Sequence, residues 1–95
     1  MFARVITSQV GADKFGSVLR VAQEQLPAAR EQPGFQGFCL LADAESGKVM
    51  TISLWETREH VLAVEAQAAQ VRRRATSPVG AGDPRVETYE VAMYA

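Results

Sequence analysis

Apolar residues recur at helical spacing along two segments of this chain, and four other segments are rich in strand-forming residues that divide between two faces. These four segments predict strands over Phe2–Ser8, Phe35–Asp43, Lys48–Trp55 and Arg85–Tyr94. The helical spacing predicts one helix from Ala12 to the stop signal at Gln32 and another from Thr57 to Ala75. The pattern therefore predicts the element order β-α-β-β-α-β.

The connections between these segments contain start and turn signals. Ala44-Glu45-Ser46-Gly47 predicts a hairpin turn in which Gly47 adopts a positive φ. Thr57 is predicted to cap the second helix, because its hydroxyl can accept a backbone N–H of the first turn. Ser77–Pro84 contains two glycines and is predicted to be a mobile loop, either a lid or a linker.

Two right-handed crossovers in this order place both helices on one face of a four-stranded antiparallel sheet. We therefore predict an α+β, ferredoxin-like fold. The second predicted strand is apolar on both sides, with Phe35, Cys39 and Leu41 on one and Phe38, Leu40 and Ala42 on the other. Because helices cover only one sheet face, we expect a second copy of the chain to cover the other, which predicts a homodimer.

The composition restricts the partners and the compartment. The chain has 95 residues, so residues 1–95 are interpreted as a single domain. A net charge of −1 favours neither nucleic acid nor an anionic membrane as a partner. No apolar run approaches the roughly 20 residues of a transmembrane helix, and Met1–Thr7 lacks the pattern of a signal peptide. The lone cysteine, Cys39, fits a cytoplasmic location and is expected to be a small buried hydrophobe.

Two side chains are the first candidates for chemistry. Trp55, the only tryptophan, ends the third strand and either lines a pocket or packs in a core or interface with its indole N–H bonded to the backbone. His60, the only histidine, lies in the first turn of the second helix and either acts as a base or ligand or faces solvent. Asp43 and Glu45 flank the hairpin turn and are interpreted as solvated. No spacing of histidine, cysteine and carboxylates suits zinc, so no metal is expected.

Two short pieces of the sequence together resemble a known family. Gln32-Pro-Gly-Phe-Gln-Gly37 leads into the second strand, and Ile52-Ser-Leu-Trp-Glu-Thr57 closes the third. With the β-α-β-β-α-β order, they resemble the antibiotic biosynthesis monooxygenase domain family of the dimeric α/β-barrel superfamily. The resemblance covers Phe2 to Met93 and implies a homodimer of ferredoxin-like subunits, each with a cleft between sheet and helices.

The resemblance also bears on activity. Some members of the family oxidise polycyclic aromatic compounds with molecular oxygen and no cofactor, whereas others bind haem and degrade it. Both kinds use an asparagine near the sheet, and this chain contains no asparagine. Haem degraders carry an axial histidine farther along the second helix than His60, in the stretch that is Ala63–Ala66 here. The resemblance therefore implies a small aromatic or polyketide-like substrate and no cofactor.

Under this resemblance, catalysis would depend on Trp55 and His60, which would bind a developing oxyanion, while His60 or a carboxylate would take the proton. Arg4, Thr7 and Tyr89 would contact the substrate. The alternative is a non-catalytic homodimer of the same fold that binds a ligand or acts in a stress response. Both alternatives stay open at this point, because function depends on the site and not on the fold.

Overall fold

The computed structural model describes residues 1–74 and 85–95, with side chains described except at 12 and 68–74. The strands are β1 (Phe2–Gln9), β2 (Phe35–Asp43), β3 (Lys48–Trp55) and β4 (Arg85–Glu90). The helices are α1 (Phe15–Arg30), entered through a single 3-10 turn, and α2 (Arg58–Arg74). The predicted element order is confirmed. The loop predicted at Ser77–Pro84 lies outside the described residues.

The strands form one antiparallel sheet in the order β2-β3-β1-β4. Residues directly opposite each other point to the same face, so Phe38 of β2, Ser53 of β3 and Arg4 of β1 share one face. Arg4 contacts Glu65 of α2, and Phe38 lines a groove with Leu19 of α1. Both helices therefore lie on this face, as the α+β, ferredoxin-like prediction requires.

The packed core on the helix side is small. Among the described apolar side chains, those that are buried are Val49, Trp55 and Val61, at 4%, 2% and 0% exposure. Helix α1 has no buried residue, and Leu19 on its predicted apolar stripe is 47% exposed. The sheet therefore holds α2 closely at Val61, while α1 leaves part of the apolar surface of β2 open.

The predicted hairpin turn and helix cap are both confirmed. Gly47 has φ +77°, and its N–H donates to the carbonyl of Asp43 at 2.9 Å. A Cβ at Gly47 would also collide with the carbonyl of Val10. Both the positive φ and this close contact therefore require glycine at position 47. At the other end of β3, Thr57 Oγ1 accepts the backbone N–H of His60 at 3.3 Å and so caps α2.

A bulge in β2 corrects the predicted faces of that strand. Phe35 lies opposite Trp55 and Gly37 lies opposite Leu54, so Gln36 is an extra residue in the ladder. The extra residue moves Phe35 to the helix-facing side with Phe38, whereas strict alternation placed it with Cys39. The Phe35 ring consequently meets the Trp55 ring edge-on at 5.5 Å between centroids.

The predicted fourth strand was too long. Strand β4 ends at Glu90, although apolar residues continue to Tyr94. The N–H of Val91 donates to the carbonyl of Met1 at 2.9 Å, and this is the last bond of the ladder with β1. Past it, no strand of the described chain runs beside Ala92–Ala95, and Tyr94 is 71% exposed.

The sheet face away from the helices is apolar around Ile52, and no helix or strand among the described residues covers it. Cys39 lies opposite Ile52, which lies opposite Val5, and all three point away from the helices. Cys39 is exposed, so the expectation that it is buried is wrong for the single chain. The reason is that Cys39 lies on the face that neither helix reaches.

Candidate functional site

Trp55 lies at the end of β3 with its indole ring buried on the helix-facing side of the sheet. It is 2% exposed, and its Nε1–H donates to Ser53 Oγ at 2.9 Å. The two residues are two positions apart on one strand, so their side chains point the same way. The indole N–H is therefore bonded inside the protein, although to a side chain and not to the backbone.

Ser53 links Trp55 to the central strand. Its hydroxyl accepts from the indole and lies 3.5 Å from the carbonyl oxygen of Arg4, to which it donates. One hydroxyl can accept and donate at once, so both bonds are compatible. Ser53 thus orients the Trp55 ring against the sheet.

His60 is held by the cap of α2 and is neither fully buried nor fully exposed. Its Nδ1 lies 2.7 Å from Thr57 Oγ1, and the same oxygen accepts the His60 backbone N–H at 3.3 Å. We assign the Thr57 hydroxyl proton to the bond with Nδ1, which leaves the hydrogen of the neutral ring on Nε2. In this tautomer Nε2–H is the ring donor still available to a ligand.

Gly34 lies directly against the imidazole ring of His60. It has φ +81°, and a Cβ there would collide with the imidazole ring. Its carbonyl accepts the N–H of Glu56 at 2.8 Å, which fixes the turn before β2 against the turn before α2. The sequence piece around Gly34 and the piece around Trp55 therefore meet in space.

Arg4 brings a buried positive charge to the same sheet face. It is 6% exposed, and its Nε lies 3.7 Å from Glu65 Oε1 on α2. Glu65 Oε1 also accepts from Thr88 Oγ1 on β4 at 3.3 Å. Glu65 was not among the predicted site residues. Its spacing of four from Val61 placed it on the sheet-facing side of α2 and was the signal that could have found it.

Thr7 and Tyr89 lie on the opposite face of the sheet. Tyr89 is opposite Ala3 in the ladder, and Thr7 is four residues from Ala3 on the same strand, so both point away from the helices. Tyr89 Oη donates to Glu87 Oε2 at 2.5 Å, and this bond is the main reason that its pKa is raised, with desolvation second. Within one chain the structure therefore does not bring Thr7 and Tyr89 together with Arg4, Trp55 and His60.

An apolar groove runs between α1 and β2 on the helix side. It has a volume of about 210 Å³ and is lined by Leu19, Ala22, Gln23, Leu26, Phe38 and Leu40. Gln23 supplies the single polar side chain of this lining. Phe38 of the lining is directly opposite Ser53 in the ladder, and Ser53 is opposite Arg4, so the groove adjoins this row at Phe38.

Neither a metal-binding cluster nor a helix able to cross a membrane is present in the described ranges. No group of three histidine, cysteine or carboxylate side chains is close enough to hold an ion among the described residues. None of the helices described here is long and apolar enough to span a bilayer. The candidate site is thus made of Trp55, Ser53, His60, Arg4 and Glu65 beside the groove.

This arrangement defines a ferredoxin-like protein with a groove between α1 and the sheet, and solved structures share its fold. A haem degrader of Mycobacterium tuberculosis, MhuD, solved with two haems in its active site, has a TM-score of 0.76 at 19% identity, covering 100% of this chain and 99% of its own. A monooxygenase from the ActVA-Orf6 gene of Streptomyces coelicolor, solved with nanaomycin D, has a TM-score of 0.75 at 19% identity, covering 99% and 89%. These likenesses establish the fold.

Residues 1–75 match the antibiotic biosynthesis monooxygenase family, and the chain belongs to it. Among curated relatives, the uncharacterized protein Rv2557 of Mycobacterium tuberculosis is 32% identical over 93 residues, which are 97% of this chain and 41% of that protein. The uncharacterized protein Rv2558 of the same organism is 36% identical over 76 residues, or 80% of this chain and 32% of that protein. The chain therefore spans less than half the length of these relatives.

The described residues do not fit haem. Haem iron needs an axial donor such as histidine, cysteine, methionine or tyrosine, and none of these lines the groove between α1 and β2. His60, the only histidine, has Nδ1 bonded to Thr57 and its ring against Gly34. The groove volume of about 210 Å³ is also small for so large a ring system, since ligand pockets usually measure about 300–1,000 Å³.

Proposed function

We propose that this chain is a monooxygenase-like protein that binds a small aromatic or polyketide-like compound and oxidises it with molecular oxygen without a cofactor. The observation that supports the proposal is the apolar groove between α1 and β2, whose lining residue Phe38 lies directly opposite Ser53 in the row that also contains Arg4. A mostly apolar cleft with a few converging polar groups is the usual form of a small-molecule site. Membership of the antibiotic biosynthesis monooxygenase family supports the same assignment.

The ligands of two structural neighbours support the proposal that this chain binds a flat compound. MhuD holds haem, and the Streptomyces coelicolor monooxygenase holds nanaomycin D, both in the same fold. Both ligands are flat and conjugated. A flat compound would fit between α1 and the sheet, with Phe38 and Leu40 on one side and Leu19 and Leu26 on the other.

The proposed reaction needs a proton acceptor and a donor for negative charge. A ring CH₂ that is conjugated with a carbonyl through the aromatic rings loses a proton, and the resulting enolate passes electrons to O₂. One oxygen atom then replaces the two hydrogens as a ketone oxygen, and the other leaves as water. Glu65 would take the proton, or His60 would take it on Nε2 in the tautomer whose Nδ1–H donates to Thr57. In the tautomer assigned above, His60 Nε2–H would instead bind the enolate oxygen, as Trp55 Nε1–H could.

A second candidate function is ligand binding without catalysis. It is favoured by the bonds that the two proposed catalytic groups already make, from Trp55 Nε1 to Ser53 and from His60 Nδ1 to Thr57. For Trp55 to bind an enolate oxygen, its N–H would have to leave Ser53, and that exchange costs the existing hydrogen bond. A non-catalytic protein would have no such cost.

Anthrone, a flat ketone with an acidic ring CH₂, separates the two candidates. We expect the protein to consume one O₂ for each anthraquinone formed, measured with an oxygen electrode and by absorbance. His60→Ala should lower the rate about 100-fold if His60 is the base, and Trp55→Phe should lower it about tenfold or more. Tyr94→Phe, at a side chain 71% exposed, is the control and should leave the rate unchanged.

The outcomes of this experiment are distinct. Binding of anthrone with no O₂ consumption above buffer would favour the non-catalytic candidate. Turnover that is unchanged in both Trp55→Phe and His60→Ala would remove these two residues from the mechanism. If anthrone and nanaomycin D neither bind nor react, the proposal of a small aromatic ligand fails.

We also propose that the chain works as a homodimer in the cytoplasm and that residues 1–95 form one domain. The uncovered apolar face of the sheet around Ile52 and Val5 supports the dimer, since a second copy would bury it. The lone cysteine is compatible with a reducing compartment. The single sheet with both helices on one face supports one domain.

A further inference from the structure

One row of residues crosses the helix-facing side of the sheet and changes in character from one end to the other. The row is Phe38 of β2, Ser53 of β3, Arg4 of β1 and Thr88 of β4, each directly opposite the next. Neighbouring strands lie about 4.8 Å apart, so the backbones at Phe38 and Arg4 are about 10 Å apart. That distance is close to the length of a two-ring aromatic compound with one substituent.

The two ends of the row differ in charge and are covered by different helices. At the α1 end, Phe38 is part of an apolar groove whose lining contains no charged side chain. At the α2 end, Arg4 is 6% exposed and its guanidinium is buried between helix and sheet. A compound lying along the row would therefore have an apolar part at Phe38 and meet a positive charge at Arg4.

The Glu65 carboxylate beside Arg4 is more exposed to solvent than the Arg4 side chain and makes only a long contact with it. Glu65 Oε1 lies 3.7 Å from Arg4 Nε, which is longer than the roughly 2.7–2.9 Å of a strong charge-assisted hydrogen bond. The Glu65 side chain is 33% exposed, against 7% for that of Arg4, and it bonds Thr88 as well. Glu65 can therefore turn toward solvent at lower cost than Arg4 can, because a buried guanidinium must keep an anionic partner.

We propose that Arg4 selects ligands that carry a carboxylate. In the absence of a ligand the Glu65 carboxylate pairs with Arg4, and the carboxylate of a bound ligand displaces it. The favoured ligand is then a flat aromatic carboxylate, with its rings in the groove between α1 and β2 and its carboxylate against Arg4. This inference rests on the proposed function for the position of the rings and adds the charge of the ligand. Arg4 is a specificity residue here and takes no part in proton transfer.

A matched pair of probes tests the inference. Naphthoate and naphthamide have the same two rings and nearly the same shape, but only naphthoate is charged. Binding of each to the wild-type protein can be followed by emission of Trp55, the only tryptophan, and by calorimetry. We expect naphthoate to bind about tenfold more tightly than naphthamide, which is the size of one charge-assisted hydrogen bond.

Two substitutions should move this preference in opposite directions. Arg4→Gln removes the charge and should make the two probes bind equally. Glu65→Gln removes the competing carboxylate and should raise the preference for naphthoate severalfold above the wild-type value. Arg58→Gln is the matched control, because Arg58 is an exposed arginine of α2 whose guanidinium lies over the Phe2 ring at 5.4 Å, and it should leave the preference unchanged.

The outcomes distinguish this inference from the proposed function. Equal binding of both probes by the wild-type protein would overturn the role of Arg4 while leaving an aromatic ligand in place. Binding of neither naphthyl probe would overturn this inference, and the proposed function would fail with it only if anthrone and nanaomycin D also neither bind nor react. An equal loss of preference in Arg4→Gln and Arg58→Gln would show a general charge effect and also overturn the inference. If Arg4→Gln does not fold by circular dichroism, the wild-type preference and its increase in Glu65→Gln decide the question.

Discussion

At the scale of single residues, the candidate site is fixed by short-range hydrogen bonds. Trp55 bonds Ser53 two positions earlier, and His60 bonds Thr57 three positions earlier. Such pairs form as soon as the strand and the helix start form, because the spacing alone brings the side chains together. The contact between Gly34 and the His60 ring is different, because it joins two residues that are far apart in the sequence.

Replacement of Gly34 by alanine should destabilise the protein by about 1–3 kcal/mol, since the new Cβ meets the His60 ring and the residue keeps a positive φ. Urea unfolding followed by Trp55 emission measures the loss. Gly16→Ala is the control, because a Cβ at this helical glycine meets nothing within 4 Å. It should stabilise the protein by about 0.5–1 kcal/mol. Equal effects of the two substitutions would contradict the packing of His60 on Gly34.

The raised pKa of Tyr89 leads to a second prediction at this scale. The Tyr89 hydroxyl donates a hydrogen bond to Glu87, and this bond exists only while the phenol is protonated. It therefore raises the pKa of Tyr89 in the folded protein above the ordinary value of 10.0. The resulting stabilisation is fully present below pH 10.0 and is lost as pH rises through the raised pKa. In a Tyr94→Phe background, absorbance titration of Tyr89 should therefore show a midpoint above 10.0, and Glu87→Gln should lower that midpoint. An unchanged midpoint would exclude the bond to Glu87 as the cause.

At the scale of elements, the bulge at Gln36 decides which side chains meet at the start of β2. The pairing runs from Phe35–Trp55 directly to Gly37–Leu54, so Gln36 has no place in the ladder. Both Phe35 and Phe38 therefore face the helices, and Phe35 meets the Trp55 ring edge-on.

Deletion of Gln36 should consequently be tolerated, with a loss of stability within about 1 kcal/mol, because the remaining ladder becomes regular and keeps Phe35 on the helix side. Deletion of Cys39 is the matched control, since it lies in the regular ladder opposite Ile52. Its removal moves the neighbouring side chains to the wrong faces and should cost at least about 3 kcal/mol. Thermal unfolding compares the two, and a larger loss on deleting Gln36 would contradict the assigned register.

At the scale of the whole molecule, the sheet is packed on one face and open on the other. The buried apolar side chains named above all lie on the helix side of the described chain, whereas Cys39 on the far face is exposed. An exposed apolar sheet face of this kind marks an interaction surface. The proposed homodimer would bury this face and thicken a small core.

Ile52→Asp should convert the proposed dimer to monomer, because Ile52 is central on the uncovered face and a carboxylate buried there would lack a partner. Sedimentation velocity at micromolar concentration measures the change. Leu62→Asp introduces the same charge at a residue of α2 that is 56% exposed and should leave the dimer intact. A monomeric wild-type protein, or equal dissociation of the two variants, would refute the proposed interface.

The sequence alone predicted the fold and much of the local structure. The bounds of β2 and β3 were predicted to the residue, because alternation ends at clear signals such as Gly47 and the Thr57 cap. Alternation also predicted that Trp55 and Ser53 point to the same face of β3, because they are two residues apart. These features depend on neighbours in sequence, so periodicity was sufficient to find them.

The tertiary structure decided what depends on distant partners. Alternation could not reveal that Gln36 is an extra residue, that Cys39 lies on the uncovered face, or that β4 ends at Glu90 where its ladder with β1 ends. The site shows the same division. The sequence proposed five residues, and only the sheet and helix packing showed that Arg4 meets Glu65 on the helix side while Thr7 and Tyr89 face away. A strand's periodicity determines which residues share a face, but the helices and partner strands determine which face becomes the site.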